Sequence, residues 1–485
     1  MLEAFDILVI GAGPGGHAAA CAAARRGART AIIEKQGWGG TCTHRGCIPT
    51  KALLACSGQF AGLRKLRRLG IHAGEATFDY AAMKRHQNQI VKISALGVRK
   101  SLEDAGVIML SGEGRIVAPQ EVEWTAPDGG RSILSARNLV IAWGSEPALP
   151  PGVLTSARIL TSDDLLALQS LPESILIVGG NIIGVEFTTL LAELGVRVTI
   201  VELMDRLLPG EEKEASALLS GELKKLGVTV HTGMRMEAIG EAGSRVQLLA
   251  VPDAPSAETQ QVENPPGAHL PDKGDEDAHG IRLAGVLELS ADCALICTGR
   301  RPRLRMEELT ALGIRHERRG IAVDARQMTS VPGIFAVGDV TGGMMLAHRA
   351  MQQGETLAAR LCRGREIHCI EETIPSVVYT HPQIARVGLT EEEALRKGIA
   401  IEVHRADFAA NITARTAILG PGFVKLLFHQ DRLAGATIAG EQASELISSL
   451  SLAMATGIDR QQLEEWTIPH PTLSEVLGLQ KKVLS

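Results

Sequence analysis

The chain has 485 residues, well beyond the ~250–300 residues that one hydrophobic core usually serves, so several domains are expected. Hydrophobic residues make up 45% and charged residues 22%, the balance of a folded globular protein and not of a disordered or fibrous one. Fifty basic against 55 acidic residues give a net charge of −5, and Phe, Trp and Tyr together number 14, which argues against a nucleic-acid binder with its cationic surface and stacking platforms.

The apolar opening from Ile7 to Ala24 follows Glu3 and Asp6, not basic residues, and is broken by glycines. It reads as folded structure and not as a signal peptide, so a cytoplasmic protein is expected. No uninterrupted run of about 18 apolar residues suggests a membrane span. Within the opening, a strand from Phe5 to Ile10 leads into Gly11-Ala12-Gly13-Pro14-Gly15-Gly16, an Ala-rich helix, and a second strand from Thr30 to Ile33 that ends at Glu34. The series recurs: Ile175 to Val178, then Gly179-Gly180-Asn181-Ile182-Ile183-Gly184, a helix to Leu194, and a strand from Val196 to Val201 ending at Glu202. Strand, glycine turn, helix, strand and acidic residue in that order form the fingerprint of a dinucleotide-binding unit, present here twice. Gly11 permits the tight turn, Gly13 lets backbone approach a pyrophosphate, and Gly16 allows close helix packing. Gly179 and Gly184 take corresponding places, while Glu34 and Glu202 suit ribose hydroxyls. Asn181 departs from the pattern by placing a side chain where the second glycine usually lies, and a displaced pyrophosphate is expected there.

Between the fingerprints lies Gly39-Gly40-Thr41-Cys42-Thr43-His44-Arg45-Gly46-Cys47-Ile48-Pro49-Thr50-Lys51. Two cysteines five apart on a regular helix are displaced about 7.5 Å along its axis, more than a disulfide tolerates. A bridge therefore requires a bend, for which Gly39, Gly40 and Gly46 supply backbone freedom. The expected geometry puts Cys42 before a helix and Cys47 in its first turn, where the helix dipole with Arg45 and Lys51 favours a thiolate. A redox-active pair fits better than a structural bridge, and with no second CxxC or His pair nearby a metal site is not expected. The other six cysteines (Cys21, Cys56, Cys293, Cys297, Cys362, Cys369) have the aliphatic or small-residue surroundings of buried thiols. Residues 252 to 280 carry five prolines, seven acidic residues and one lysine, and read as a solvated loop inserted after a strand from Val246 to Val251.

Further motifs follow: Ala142-Trp143-Gly144-Ser145, Thr298-Gly299-Arg300-Arg301-Pro302, Gly338-Asp339, Leu346-Ala347-His348, Tyr379-Thr380-His381-Pro382 and His470-Pro471-Thr472-Leu473-Ser474-Glu475. With the two fingerprints and the cysteine stretch, the chain resembles the flavin-dependent pyridine nucleotide–disulfide oxidoreductases over nearly its whole length. The resemblance implies an α/β fold of two Rossmann-like domains, one for FAD and one for NAD, plus an α+β C-terminal dimerisation domain. Its implied boundaries are 1–151 for the FAD domain, 152–298 for the NAD domain with the 252–280 insertion, 299–370 for a central domain completing the FAD site, and 371–485 for the interface domain.

The same resemblance implies that Cys47 lies against the flavin, Cys42 exchanges with substrate, and Lys51 pairs with Glu186 near the flavin. His470 is then the general base and Glu475 its orienter. Asp339 holds the ribityl chain of FAD, and Gly144, Ala347, His348 and Gly299 are further cofactor contacts. A homodimer is implied, in which the His-Glu pair serves the cysteines of the other subunit. Within the family the motifs fit best the branch that oxidises the dihydrolipoyl group of a carrier protein with NAD+; reduction of another disulfide, as by glutathione reductase, or of mercuric ion is the alternative. Glu202 favours a ribose 2′-hydroxyl over a 2′-phosphate, although Arg197 and Arg206 lie close in sequence. Three departures stand out: Thr43-His44-Arg45, Trp143 and Gln383. Of these, His44 and Arg45 are expected to stabilise a thiolate and so shift the redox potential.

Overall fold

The computed structural model describes residues 4–72, 74–253, 282–283, 285–362 and 370–479. Its contacts divide the chain into two units, Met1–Cys56 with Asp79–Ala148 and Arg300–Ser376, and Ser57–Phe78 with Leu149–Gly299 and Val377–Ser485.

In the first unit the strands Ile108–Ser111, Thr30–Glu34, Ala4–Ile10 and Arg131–Ile141 lie side by side, and Ile334–Ala336 adds to Arg131–Ile141. All these pairs are parallel. Parallel strands are covered on both faces, which is why Ala4–Ile10 and Thr30–Glu34 read as apolar runs and not as alternating ones. Arg131–Ile141 is long because its first half also forms an antiparallel partner for Glu121–Thr125. The helix Pro14–Ala24 begins with proline, whose missing N–H costs nothing at that position. Small residues let it lie close to the helix Ala347–Leu361: a Cβ on Gly354 would sit 2.4 Å from the Gly15 carbonyl oxygen. Three parallel strands end side by side at Ile10, Ile141 and Ala336, with Ala142 N bonded to Ile10 O at 2.9 Å and Val337 N to Ile141 O at 3.0 Å. Their carboxyl ends carry Gly11, Gly144 and Asp339, the edge of such a sheet where ligands bind.

The second unit repeats the design with the parallel order Thr229–His231, Arg197–Val201, Ser174–Val178, Cys293–Ile296, Ile159–Leu160. A separate antiparallel sheet pairs Met234–Ala242 with Arg245–Pro252 and the latter with Val286–Ala291. The acidic segment expected at 252–280 lies outside the described residues from position 254 onward. The strands Gln383–Gly388, Arg432–Gly440, Phe423–His429 and Glu402–Asp407 form an antiparallel sheet that packs on the helix Ala443–Thr456 through Ile438, Leu446 and Leu450. Among the described residues no helix is long and apolar enough to cross a membrane. Of the five described cysteines expected to be buried, Cys21 and Cys297 are, and Cys56, Cys293 and Cys362 are half-buried; Cys369 lies outside the described residues. Aliphatic neighbours in sequence do not decide which face of an element turns inward.

A buried carboxylate ties three segments of this unit. Glu193 accepts from Ser57 Oγ at 2.6 Å and pairs with His381 Nδ1 at 2.7 Å, with 3% of its side chain exposed. Burial pushes the His381 imidazole down, but its bond to Glu193 and the charge of that carboxylate outweigh this and raise it above its ordinary 6.5. A raised folded value contributes stability that is fully present below the unfolded value and is lost as pH rises through the folded one. His381→Gln is therefore expected to lower the denaturation midpoint more at pH 6 than at pH 9. Equal losses at both pH values would show that the charge of His381 adds nothing.

Candidate active site

At the first glycine turn, Gly11 has φ +109°, and a Cβ there would lie 2.2 Å from the Ala142 carbonyl oxygen. A Cβ on Gly16 would lie 1.9 Å from the Gly11 oxygen, whereas one on Gly13 would meet nothing within 4 Å. Two glycines thus close the turn on itself, and the third leaves open space. Glu34 Oε2 accepts from Ala12 N at 2.8 Å and Oε1 from Gln36 N at 2.7 Å, so the acidic residue also fastens the turn. The open space belongs to a cleft lined by Gly13, Glu34, Thr41, Gly144, Ser145 and Asp339. Gly144 has φ +72° and open space at its Cβ position. Asp339 Oδ2 accepts from Ser145 Oγ at 2.6 Å, and Arg300 Nε donates to that hydroxyl at 2.8 Å. A glycine-walled cleft at a helix N-terminus with a fixed carboxylate fits the diphosphate and polyol of a flavin dinucleotide. Ala347 opens the helix Ala347–Leu361, and His348 Nε2 lies 2.7 Å from the Pro375 oxygen. Gly16→Ala is expected to lower the flavin bound per chain in purified protein, because its new methyl has only the Gly11 carbonyl to displace; full flavin content would contradict this.

The redox stretch leans on the same turn. Gly39 N bonds to Ala12 O at 3.0 Å, and a Cβ on Gly40 would lie 2.8 Å from Gly13 Cα. Cys42 sits inside a short helix, Gly40–Arg45, and Cys47 opens a long one, Cys47–Leu66. Cys42 thus precedes the helix whose first turn holds Cys47, as expected, and lies in a short helical turn of its own that Gly39 at φ +103° and Gly40 at φ +61° begin. The required bend falls at Gly46, with φ −139° and ψ −110°. Both residues are thiols in this structure. The hydrogen bond from Cys42 to Cys47, then burial and the charge of Cys47, push the Cys42 thiol far up; Lys51 opposes this and Asp339 adds to it. His44 Nε2 lies 3.0 Å from the Trp38 oxygen, and Arg45 bonds to Gln36, so both residues brace the loop 36–38. The charges that act on Cys42 are those of Cys47, Lys51 and Asp339.

The second unit carries the remaining residues. His470 Nδ1 lies 2.8 Å from Glu475 Oε1, and Glu475 Oε2 accepts from Thr472 N at 3.0 Å. The bond to His470, then that to Thr472, holds the Glu475 carboxyl below its ordinary value. With its Nδ1 engaged and 73% of its side chain exposed, His470 presents Nε2 outward. Thr472 and Glu475 form a capping box, a T-x-x-E signature legible in sequence that identifies Thr472 as the anchor of the orienting carboxylate. Ser145 and Arg300 carry no such local signal, because their partners lie 194 and 155 residues away. Glu186 is buried and accepts from Tyr379 N at 2.9 Å.

The second glycine turn copies the first. Gly179 has φ +105° with a Cβ position 2.5 Å from the Cys297 oxygen, and a Cβ on Gly184 would lie 1.9 Å from the Gly179 oxygen. Glu202 Oε2 accepts from Gly180 N and Oε1 from Met204 N at 2.8 Å. The departure at Asn181 has a defined outcome: its Oδ1 takes the Ile182 N–H at 2.9 Å, one of the donors the helix end would otherwise offer an anion. Gly299, at φ +113°, has open space around it. Among the described residues no cluster of His, Cys, Asp and Glu could hold a metal ion.

Two dinucleotide turns and a bent dithiol define a flavin- and nucleotide-dependent disulfide oxidoreductase. Residues 5–354 match the pyridine nucleotide-disulphide oxidoreductase family, and residues 374–480 match its dimerisation domain. The chain belongs to this family. It is 38% identical over 480 residues to a dihydrolipoyl dehydrogenase of Chlorobaculum tepidum, covering 98% of this chain and 95% of that one. A dihydrolipoyl dehydrogenase of Chlamydia pneumoniae is 34% identical over 479 residues, covering 98% and 96%. Among solved structures, LpdA of Mycobacterium tuberculosis is similar with a TM-score of 0.85 at 25% identity, covering 97% of each chain. The HOCl-induced flavoprotein disulfide reductase RclA of Escherichia coli gives 0.81 at 26%, covering 98% of each.

Proposed function

We propose that this chain is a dihydrolipoyl dehydrogenase, which oxidises the dihydrolipoyl group of a carrier protein with FAD as resident cofactor and NAD+ as acceptor. The observation that supports it most is the Cys42–Cys47 pair across the Gly46 bend, braced on the first nucleotide turn. In the oxidised enzyme the two sulfurs are joined. His470 Nε2 takes the proton from one substrate thiol, as an imidazole near neutral pH can. The resulting thiolate attacks Cys42 Sγ, the Cys42–Cys47 bond breaks, and Cys47 leaves as a thiolate beside Lys51. The second substrate sulfur then attacks the one joined to Cys42, its proton passing to the departing Cys42 sulfur as the cyclic disulfide closes, while His470 keeps the first proton. FAD, held in the cleft of the first glycine turn, would supply the two-electron relay between the enzyme dithiol and NAD+.

Glu34 with Gly11, Gly13 and Gly16 holds the flavin's adenosine and diphosphate, and Asp339 its ribityl chain. Gly179, Gly184, Glu202 and Gly299 hold NAD. The domain boundaries 1–151, 152–298, 299–370 and 371–485 belong to this reading, as does a homodimer in which each chain lends His470 and Glu475 to the other's cysteines. A cytoplasmic site suits a dithiol that must cycle. Steady-state turnover of lipoamide and of glutathione disulfide, each with NADH and NADPH, tests the assignment. Lipoamide with NADH is expected to be the preferred pair; preference for glutathione disulfide with NADPH would overturn it.

A further inference from the structure

Arg206 lies four residues beyond Glu202, on a loop fastened to the second glycine turn. Leu208 N bonds to Gly180 O at 3.0 Å, and a Cβ on Gly180 would lie 2.4 Å from Leu207 Cδ2. Gly180 N is the group that Glu202 accepts from. The loop thus borders the nucleotide site, with Leu203 and Met204 on it 46% and 48% exposed. A guanidinium on such a loop is the natural partner of a ribose 2′-phosphate.

Arg206 is turned to another partner. Nη1 meets Glu392 Oε1 at 3.3 Å, Nη2 bonds to Glu392 Oε2, and Nη2 also donates to the Pro209 oxygen at 3.1 Å. Its buried Nε has no acceptor among the described residues, so the guanidinium's donors are not exhausted. Glu392 lies in the helix Glu391–Arg396, whose first residue, with the neighbouring strands Gln383–Gly388 and Phe423–His429, is tied to Glu211, Glu212 and Glu214 just beyond that loop. Glu391 N donates to Glu212 Oε1 at 2.7 Å, Arg386 Nε to Glu211 Oε2 at 2.9 Å, and buried Lys425 reaches Glu391 at 2.8 Å and Glu214 at 3.0 Å. Neighbouring contacts therefore set the position of Glu392, which does not depend on its own bond to Arg206.

We propose that Glu392 is a specificity-determining residue for the nucleotide. By holding Arg206 against the helix Glu391–Arg396, it withholds the cation that a 2′-phosphate requires and leaves Glu202 to select the 2′-hydroxyl. This rests on the assignment of NAD to the second turn, and its test needs no lipoamide turnover, so the two can fail separately. The probes are 2′,5′-ADP and ADP, titrated calorimetrically against the flavin-loaded enzyme. Glu392→Gln is expected to tighten 2′,5′-ADP about fivefold, the weight of one ion pair near a surface, with ADP unchanged. Adding Arg206→Met to it should return 2′,5′-ADP to the wild-type affinity, and Arg206→Met alone should leave that affinity where it was. Unchanged 2′,5′-ADP binding in Glu392→Gln, a gain that survives without Arg206, or a loss in Arg206→Met alone would each overturn the proposal. Glu392→Ala, measured beside Glu392→Gln with thermal unfolding of both, shows whether the change follows the carboxylate or a disturbed fold; a gain only in a destabilised variant counts against it.

Discussion

Cys47→Ser is expected to lower lipoamide turnover by about 10⁴-fold, the scale on which removal of a covalent catalytic group is felt, while the protein keeps its flavin. The cleft is built from Gly13, Glu34, Gly144, Ser145 and Asp339, and loss of one sulfur alters none of their bonds. Cys42→Ser should be as inactive, but the two variants separate by alkylation. With Cys47 gone, the remaining Cys42 thiol is still half-buried and near Asp339, both of which hold its proton on. With Cys42 replaced by serine, Cys47 keeps Lys51 one turn along its own helix and a hydroxyl that can donate to it. Iodoacetamide at pH 8 should therefore modify the single active-site thiol of Cys42→Ser faster than that of Cys47→Ser. The opposite order would show that access from the substrate side, where Cys42 is placed, outweighs thiolate stability.

His470→Gln should cost about 10²- to 10⁴-fold in lipoamide turnover, the range of a general base. The melting temperature should be unaffected, because the side chain is 73% exposed and bonded only to Glu475. Oxidation of NADH by ferricyanide, which bypasses the dithiol, should persist in the same variant. Loss of that reaction together with lipoamide turnover would place the defect in flavin binding and not in proton transfer. Glu475→Gln should show a smaller loss, since Thr472 N still fixes the side chain and only the carboxylate charge is removed.

The elements around the glycine turns were readable because parallel strands buried on both faces leave apolar runs, and because a turn that excludes a Cβ permits only glycine. Ala4–Ile10 and Thr30–Glu34 fall within a residue of the runs seen in sequence, as do Ser174–Val178 and Arg197–Val201. The bend between Cys42 and Cys47 was foreseeable from chain geometry and Gly46, but the helix around Cys42 was not. It depends on Gly39 meeting Ala12 O, a contact that sequence pattern does not encode. The bonds that turn His44 and Arg45 back toward 36–38 leave no local signal in the sequence. Arg206 and Glu392 are 186 residues apart, and no local rule joins them.

Glu34 and Glu202, the carboxylates proposed to take a ribose, already close on the backbone of their own turns. This limits how the enzyme can evolve. A change at Glu202 that invites a phosphorylated nucleotide also unfastens Gly180 and Met204, so the direct route to a new cofactor passes through a damaged loop. An indirect route, which leaves Glu202 in place and releases Arg206 from Glu392, keeps those backbone bonds. On the proposed assignment, cofactor preference in such a chain is more open to change from a residue that does not touch the cofactor than from one that does.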